Sequence, residues 1–273
     1  MNNVMNGKAH KYRIADAHAH IFPPKIADKA VTSIGNFYEN VMLGNGLADD
    51  LLRSGETIGV EKYLVCSTAT RPAQVQSIND FIWDACQGQD KFLGFATLHP
   101  EYEDIEGELA RIVELGLHGI KLHPDFQKFD IDDAEAMPLY CGAEQAGLPI
   151  LFHMGDVRYD FSAPVKLAAV AEKFPDLICI AAHFGGYQCW QDAERYLGQP
   201  NIYYDTSSSL CTLNTSDAVR IIERFGTDRF MFGTDYPMWL HEQELERFLA
   251  LPFTEEQRHD MLWNNFERLL LNR

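Results

Sequence analysis

Residues 14–21 read Ile14-Ala15-Asp16-Ala17-His18-Ala19-His20-Ile21, an apolar run with an acid and two imidazoles on alternate positions. In an extended strand alternate side chains share a face. Read as a strand, the run sends Asp16, His18 and His20 the same way, and two imidazoles on one face are two ligands for a divalent cation. The pair alone is weak. With ten His in 273 residues, an H-x-H arises by chance in roughly a third of such chains. Its weight comes from the rest of the chain.

Short β-rich runs occur at residues 12–18, 61–67, 91–98, 119–123, 148–153, 177–183, 201–205 and 229–235. Between them lie stretches of helical periodicity at 105–115 (Ile105, Leu109, Ile112, Val113), 165–174, 218–225 and 245–251. The longer first gap, 22–60, reads as a loop with one or two helices over the barrel mouth, 48–53 among them. After it, successive runs begin roughly 25 to 30 residues apart, the length of a βα unit. Eight strands alternating with helices predict a (β/α)8 TIM barrel. A doubly wound open sheet would carry a G-x-G-x-x-G after an early strand, and no run here has one. One barrel domain over residues 12–273 is expected, after a polar tail over 1–11 and with a closing helix at 263–270.

In such a barrel the active site lies at the C-terminal ends of the strands. The first run leads into His18 and His20, the fourth into Lys121 and His123, and the fifth, sixth, seventh and eighth end on His153, His183, Asp205 and Asp235. Period-two alternation puts Gly119, Leu151, Ala181 and Gly233 on the inward face beneath Lys121, His153, His183 and Asp235. Three of these four are Gly or Ala, which leaves room under a polar ring. Ile120 and Leu122 then face the helices, and Lys121 enters the barrel. Four His and an Asp on one axis make a divalent-cation site, since imidazole and carboxylate are ligands zinc accepts. The candidate ligands are His18, His20, His153 and Asp235, with His183 reaching the site as a ligand or as a ligand's partner. Asp205 precedes Thr206-Ser207-Ser208-Ser209 and reads as a turn-starting Asp. His10, His118, His241 and His259 lie off the strand ends and are expected in solvent; His99 and His123 each precede Pro and line or merely end the mouth. Substrate contacts are expected from Arg71, His123, Arg158 and Tyr187, with Asp156, Trp190, Tyr236 and Trp239 also at the mouth. An Arg beside a cation suits a carboxylate substrate.

Composition narrows the class. Hydrophobic residues make up 46% and charged residues 23%, and a formal charge of −17 leaves no cationic patch for a nucleic-acid backbone. The six cysteines form no C-x-x-C pair, and Cys66, Cys141 and Cys179 sit in or beside apolar runs, so a reduced, cytoplasmic compartment is expected. No apolar segment resembles a secretory signal or spans a bilayer, so no membrane partner is expected. The expected partners are a small anionic substrate and further copies of the chain in a homo-oligomer.

As a set, D-A-H-A-H (16–20), G-I-K-L-H-P (119–124), L-P-I-L-F-H-M-G (148–155), A-A-H-F-G-G (181–186) and G-T-D-Y-P (233–237) resemble the amidohydrolase superfamily. They most resemble its amidohydrolase-related branch, which also contains aminocarboxymuconate-semialdehyde decarboxylase and resorcylate-type decarboxylases. The resemblance covers nearly the whole chain. It implies His18, His20, His153 and Asp235 as metal ligands, and His183 as a further ligand or a partner of the metal's water. Asp235 and His183 would be the catalytic proton carriers. Zinc lowers the pKa of its water from 15.7 to about 7, so hydrolysis of a small amide, lactone or ester is the expected function. Nonoxidative decarboxylation of an unsaturated or aromatic acid is the first alternative, against which the short chain weighs modestly. A catalytically inactive binding barrel is the second, and it should have lost a ligand-type residue where none of the five is missing. Lys121 is the departure from the decarboxylases, since several two-metal amidohydrolases use a carboxylated barrel lysine. One ion is expected beside a plain Lys121 ammonium, two if Lys121 is carboxylated.

Overall fold

The computed structural model describes residues 11–272. Residues 1–10 of the expected tail, His10 among them, lie outside the described residues. Eight parallel strands follow one another in chain order around a single sheet: β1 (Ile14–His20), β2 (Val60–Cys66), β3 (Phe92–Thr97), β4 (Gly119–Leu122), β5 (Ile150–Phe152), β6 (Cys179–Ala181), β7 (Ile202–Asp205) and β8 (Phe230–Met231). The sheet curls until its edges meet. Ala17 N donates to Phe232 O (2.8 Å) and His20 N to Tyr236 O (2.7 Å), which nearly closes the barrel.

Helices α1 (Ala27–Tyr38) and α2 (Ala48–Glu56) fill the long first connection, as its reading as a helix-bearing mouth loop requires. The remaining connections carry α3 (Val75–Cys86), α4 (Ile105–Glu114), α5 (Pro124–Gln127), α6 (Met137–Gln145), α7 (Pro164–Lys173), α8 (Trp190–Tyr196) and α9 (Thr215–Phe225). After β8 come α10 (His241–Leu249), α11 (Glu255–His259) and two π-helical stretches, Asp260–Asn264 and Glu267–Leu271. This is the (β/α)8 TIM barrel. Local chemistry places its helices: the Asn214 side chain accepts from Asp217 N (2.9 Å) to start α9, and Ala218, Ile221, Ile222 and Phe225 form its buried stripe. Each of the large ones contributes about 1.5–3 kcal/mol by burial. In α4, Leu109 and Ile112 are buried as expected, but Val113 lies off the stripe and is half exposed.

Leu64, Leu93, Phe95, Leu151, Ile180 and Met231 fill the barrel together with Trp263 and Phe266 from the chain's last turns. Ile120, Leu122, Ile150 and Phe152 face the helices instead. Lys121 therefore enters the barrel, where it is fully buried. Gly119 beneath it has no room for a side chain, since a β-carbon there would stand 2.5 Å from the Phe95 ring. Phe95, not empty space, occupies what Gly119 leaves.

Simple alternation fails at two strand ends that matter. Asp16 pairs with Tyr63 and Ala19 with Val65, so three steps of β1 match two of β2. This bulge reverses the phase of the strand. Ala15 and Ala17 face inward before it, while Ala19 and Ile21 face outward after it. Asp16 therefore does not share a face with His18 and His20. In β6, Ala181 packs outward while Ile180 and Ala182 face the barrel, so the inward place expected for Ala181 is also corrected. His183 enters the mouth through a left-handed turn, with φ of 60° and Phe184 at 58°.

Candidate metal centre

The bulge turns His18 and His20 toward the barrel axis. His18 is fully buried, and its Nδ1 lies 2.9 Å from Asp205 Oδ2. Burial pushes the Asp205 carboxyl up, but the His18 contact and the Ser207 hydrogen bond outweigh it and hold the group down at about 2. An ionised carboxylate only accepts, so His18 Nδ1 carries the hydrogen and Nε2 presents its lone pair to the site. Asp205 also accepts from the backbone N–H groups of His183 and Ser207 at 3.0 Å each. It starts a turn, as expected, and in addition orients an imidazole, which the turn reading did not foresee.

Asp235 stands beyond the two-residue β8 with φ of 58°. A non-glycine residue in the left-handed region costs about 1–3 kcal/mol and persists where its surroundings enforce it. Here Asp235 N donates to His18 O (2.8 Å) and Ser208 Oγ donates to Asp235 Oδ2 (2.6 Å). Oδ1 is left 3.2 Å from His20 Nε2 and 3.6 Å from His18 Nε2, with the two Nε2 atoms 3.2 Å apart. Donors 2.0–2.2 Å from a shared tetrahedral ion stand about 3.4 Å from one another. These three atoms fit a divalent cation. They also demand positive charge among them: burial opposes it, but Cys66 and Asp235 push the His20 imidazole up to about 9.

Lys121 Nζ lies 3.1 Å from His18 Nε2, and burial lowers its pKa, which favours the neutral amine. Among the described residues no carboxylate lies within ion-pair distance of it, so an ammonium there would lack a paired counter-charge. His183 and His153 adjoin the triplet, with His183 Nε2 3.1 Å from His153 Nδ1. His153 Nε2 faces the Gly155 carbonyl at 3.1 Å. That carbonyl can only accept, so Nδ1 is the His153 atom left with a lone pair toward the site.

A second triplet, His123, Asp125 and His153, has donor atoms within 4.8 Å of one another. Its two rings stack at 3.8 Å with 6° between planes. Parallel imidazoles send their in-plane lone pairs side by side, so they do not converge on one ion. What meets them is Tyr38 at the end of α1, whose hydroxyl is 3.0 Å from His123 Nε2 and 3.4 Å from His153 Nε2. Burial, followed by Asp235, Asp125 and Asp156, pushes this phenol well above its ordinary value and keeps it protonated. Sequence reasoning missed Tyr38, because nothing in the 22–60 segment distinguishes this aromatic from its neighbours.

The other expected site residues scatter. Arg158 forms a charge-assisted pair with Asp156 (2.6 Å), donates to Phe37 O and covers the Phe37 ring at 4.5 Å, so it fastens the end of α1 over the mouth. Tyr187 packs edge-on against Tyr38 at 5.8 Å and against His183 at 6.0 Å. Arg71 is exposed at the head of a short 3-10 turn and does not join the cluster. Trp190 Nε1 donates to His183 O (3.1 Å) and so supports the left-handed turn. Tyr236 is fully buried and donates to Asp50 of α2 (2.7 Å), so it is closed off from a substrate. Trp239 lies under Arg247. His99 is buried and accepts from Glu101 N at the turn after β3. His118 and His259 are exposed as expected. His241 is not: it is fully buried, with Nε2 3.1 Å from Asp16 Oδ2 and Nδ1 2.8 Å from Ser54 Oγ. All six cysteines are free, and no helix among the described residues is long and apolar enough to cross a membrane.

A family model described as amidohydrolase matches residues 15–271. Among solved structures, a 2,6-dihydroxybenzoate decarboxylase complexed with 2,6-dihydroxybenzoate shares 18% identity at a TM-score of 0.73, covering 94% of this chain and 99% of that one. A dihydroxybenzoic acid decarboxylase from Polaromonas sp. JS666, with bound manganese and the inhibitor 2-nitroresorcinol, shares 19% at 0.75 over 96% and 98%. A 5-carboxyvanillate decarboxylase from Sphingomonas paucimobilis shares 14% at 0.71 over 95% and 99%. At these identities the likeness is one of fold.

Proposed function

On the premise that the chain belongs to the amidohydrolase family, a family of metal-dependent enzymes, we propose that it is a nonoxidative decarboxylase of a small aromatic or unsaturated carboxylic acid. The observation that carries this reading is the aromatic lining over the donor set. Tyr38 stands between Phe126 and Tyr187, at centroid distances of 6.1 and 5.8 Å, and Tyr187 reaches over His183. Offset and edge contacts at 4.5–7 Å are those by which aromatic rings recognise one another. The named activities of the structural neighbours support the same choice over the hydrolysis expected from sequence.

His18, His20 and Asp235 would hold the divalent cation, with His153 Nδ1 and His183 Nε2 facing the same space. A bound ion would supply Lewis acidity to an anionic substrate there. Manganese is the first ion to test, for its place in a neighbour, and zinc the second, for the imidazole donors. When the C–C bond breaks, its electron pair stays on the substrate carbon, which takes up a proton as carbon dioxide leaves. Asp235 and His183 are the chain's groups for moving that proton. Asp235 stays ionised, since His18, His20 and His183 outweigh burial and hold it far below the usual carboxylate range. An ionised Asp235 must therefore first take a proton from solvent water and hand it to that carbon as carbon dioxide leaves, which returns it to the carboxylate. Hydrolysis remains the second reading, favoured by one observation: the buried, deprotonation-prone Lys121 beside His18 is the kind of lysine that two-metal hydrolases carboxylate.

The test is to load the purified protein with manganese or zinc and screen hydroxylated benzoates against lactones, esters and amides. The expected outcome is carbon dioxide released in step with loss of an aromatic acid. Turnover of a lactone or amide with no carbon dioxide from any acid would replace this reading with hydrolysis.

A further inference from the structure

The acid that opens the D-A-H-A-H run takes no part in the donor triplet, yet it is fully buried behind it. Asp16 Oδ1 accepts from the backbone N–H groups of His18 and Thr234, both at 3.0 Å. Its Oδ2 accepts from Thr234 Oγ1 at 2.6 Å. One carboxylate thus ties the bulge of β1 to the residue before Asp235, joining segments from opposite ends of the chain. Behind it stands His241, whose Nε2 is 3.1 Å from Asp16 Oδ2, close but off the line of an ideal hydrogen bond. On its far side His241 Nδ1 meets Ser54 Oγ at 2.8 Å. Ser54 belongs to α2 in the mouth insertion, and His241 opens α10.

We propose that Asp16 is a positioning residue for the metal centre, and that the row Ser54–His241–Asp16 holds His18 and Asp235 at chelating distance. Both of those residues sit on irregular backbone, a bulge and a left-handed turn. Irregular backbone needs acceptors that regular pairing no longer supplies. Asp16 supplies one acceptor oxygen to a donor from each segment. His241 is fully buried, so the row acts on the protein's own backbone and not on a ligand. The inference rests on the cation being held by His18, His20 and Asp235.

The experiment measures manganese affinity of the purified full chain by electron paramagnetic resonance, beside the melting temperature of the metal-free protein. Supporting partners of metal ligands typically change affinity by about 10- to 100-fold. Asp16→Ala is expected to weaken manganese binding by about that much, and His241→Leu by the lower end of that range. His241→Gln, which keeps a donor near Asp16, should restore affinity to within about twofold of wild type, as a positioning role requires. If Asp16→Ala does not fold, the His241 pair decides. Variants that melt earlier yet bind manganese as the wild type does would show a merely structural role and overturn the inference. If His18→Ala abolishes binding while Asp16→Asn and His241→Leu leave it intact, this inference alone falls. If the wild type binds neither manganese nor zinc, both the donor set and its positioning row fall together.

Discussion

On one side of the barrel mouth stand His18, His20 and Asp235; on the other stand His123, His153 and Asp125. The residue types are the same, and each triplet keeps its donor atoms within 4.8 Å. Only the first converges. The reason is backbone direction. Leu122 and Phe152 are in register across β4 and β5, and His123 and His153 follow directly. Side chains at matching positions of adjacent parallel strands point the same way, so these two rings stack. The first triplet is assembled across a bulge and a left-handed Asp235, and these irregularities turn donors toward one another. Composition brings the ligand types to the mouth; departures from regular strand geometry make them chelate.

The largest effect should come from breaking the converging side. His18→Ala removes the donor shared with His20 and Asp235, and manganese affinity should fall by about 100-fold or more, with activity following. Equilibrium dialysis against manganese checks this. His123→Ala should leave affinity within about threefold, because a stacked ring is not counted on for coordination. Equal losses in the two variants would erase the distinction between the triplets.

Asp235→Asn comes next. It keeps the shape and the Ser208 contact site but removes charge and basicity. Turnover should fall by about 10²- to 10⁴-fold, the usual worth of a positioned acid–base group, with the circular dichroism of the folded barrel unchanged. Near-normal turnover with metal bound would deny Asp235 its proton role.

Much of this was readable from sequence. The eight runs, the barrel and the His and Asp at strand ends follow from periodicity, because βα units of regular length repeat it. Ile120 and Leu122 outward and Lys121 inward follow from alternation inside a regular strand. Asp16 does not, because one extra residue in β1 reverses the phase and no residue type announces a bulge. Ala181 does not, because β6 alternates regularly and His183 enters the mouth through its left-handed turn and not by counting two from Ala181. His241 lies off every strand end, and only the packing of α2 against α10 shows that it is enclosed. Asp205 looked sufficient as a turn residue, since the same carboxylate that caps a turn can also fix an imidazole 187 positions away.

Lys121 sharpens the comparison from within the converging side. Its amine contacts His18 Nε2, the atom a cation would claim. Lys121→Ala should leave the metal count at about one ion per chain, as a single-ion decarboxylase requires. Elemental analysis of wild type and variant decides it. Two ions in the wild type falling to one or none in the variant would instead reveal a carbamate bridge and favour hydrolysis.

The smallest expected effect lies on the stacking side and concerns Tyr38. Its hydroxyl meets His123 and His153, and its ring forms part of the aromatic lining. Tyr38→Phe keeps the ring and removes only the hydroxyl. The two imidazoles lose a partner at a half-buried position, a change of about 1 kcal/mol for one neutral hydrogen bond. If the stacking side serves substrate and not metal, that loss belongs to substrate binding. KM should rise by about fivefold while turnover stays within about twofold, since about 1 kcal/mol of uniform binding corresponds to such a change. Manganese affinity should not move. Steady-state kinetics on the acid found in the screen, with metal titrations on the same preparations, separates the cases. A Tyr38→Phe variant with unchanged KM and altered manganese affinity would place the cation among His123, Asp125 and His153, and the contrast between stacked and converging donors would have been drawn the wrong way round.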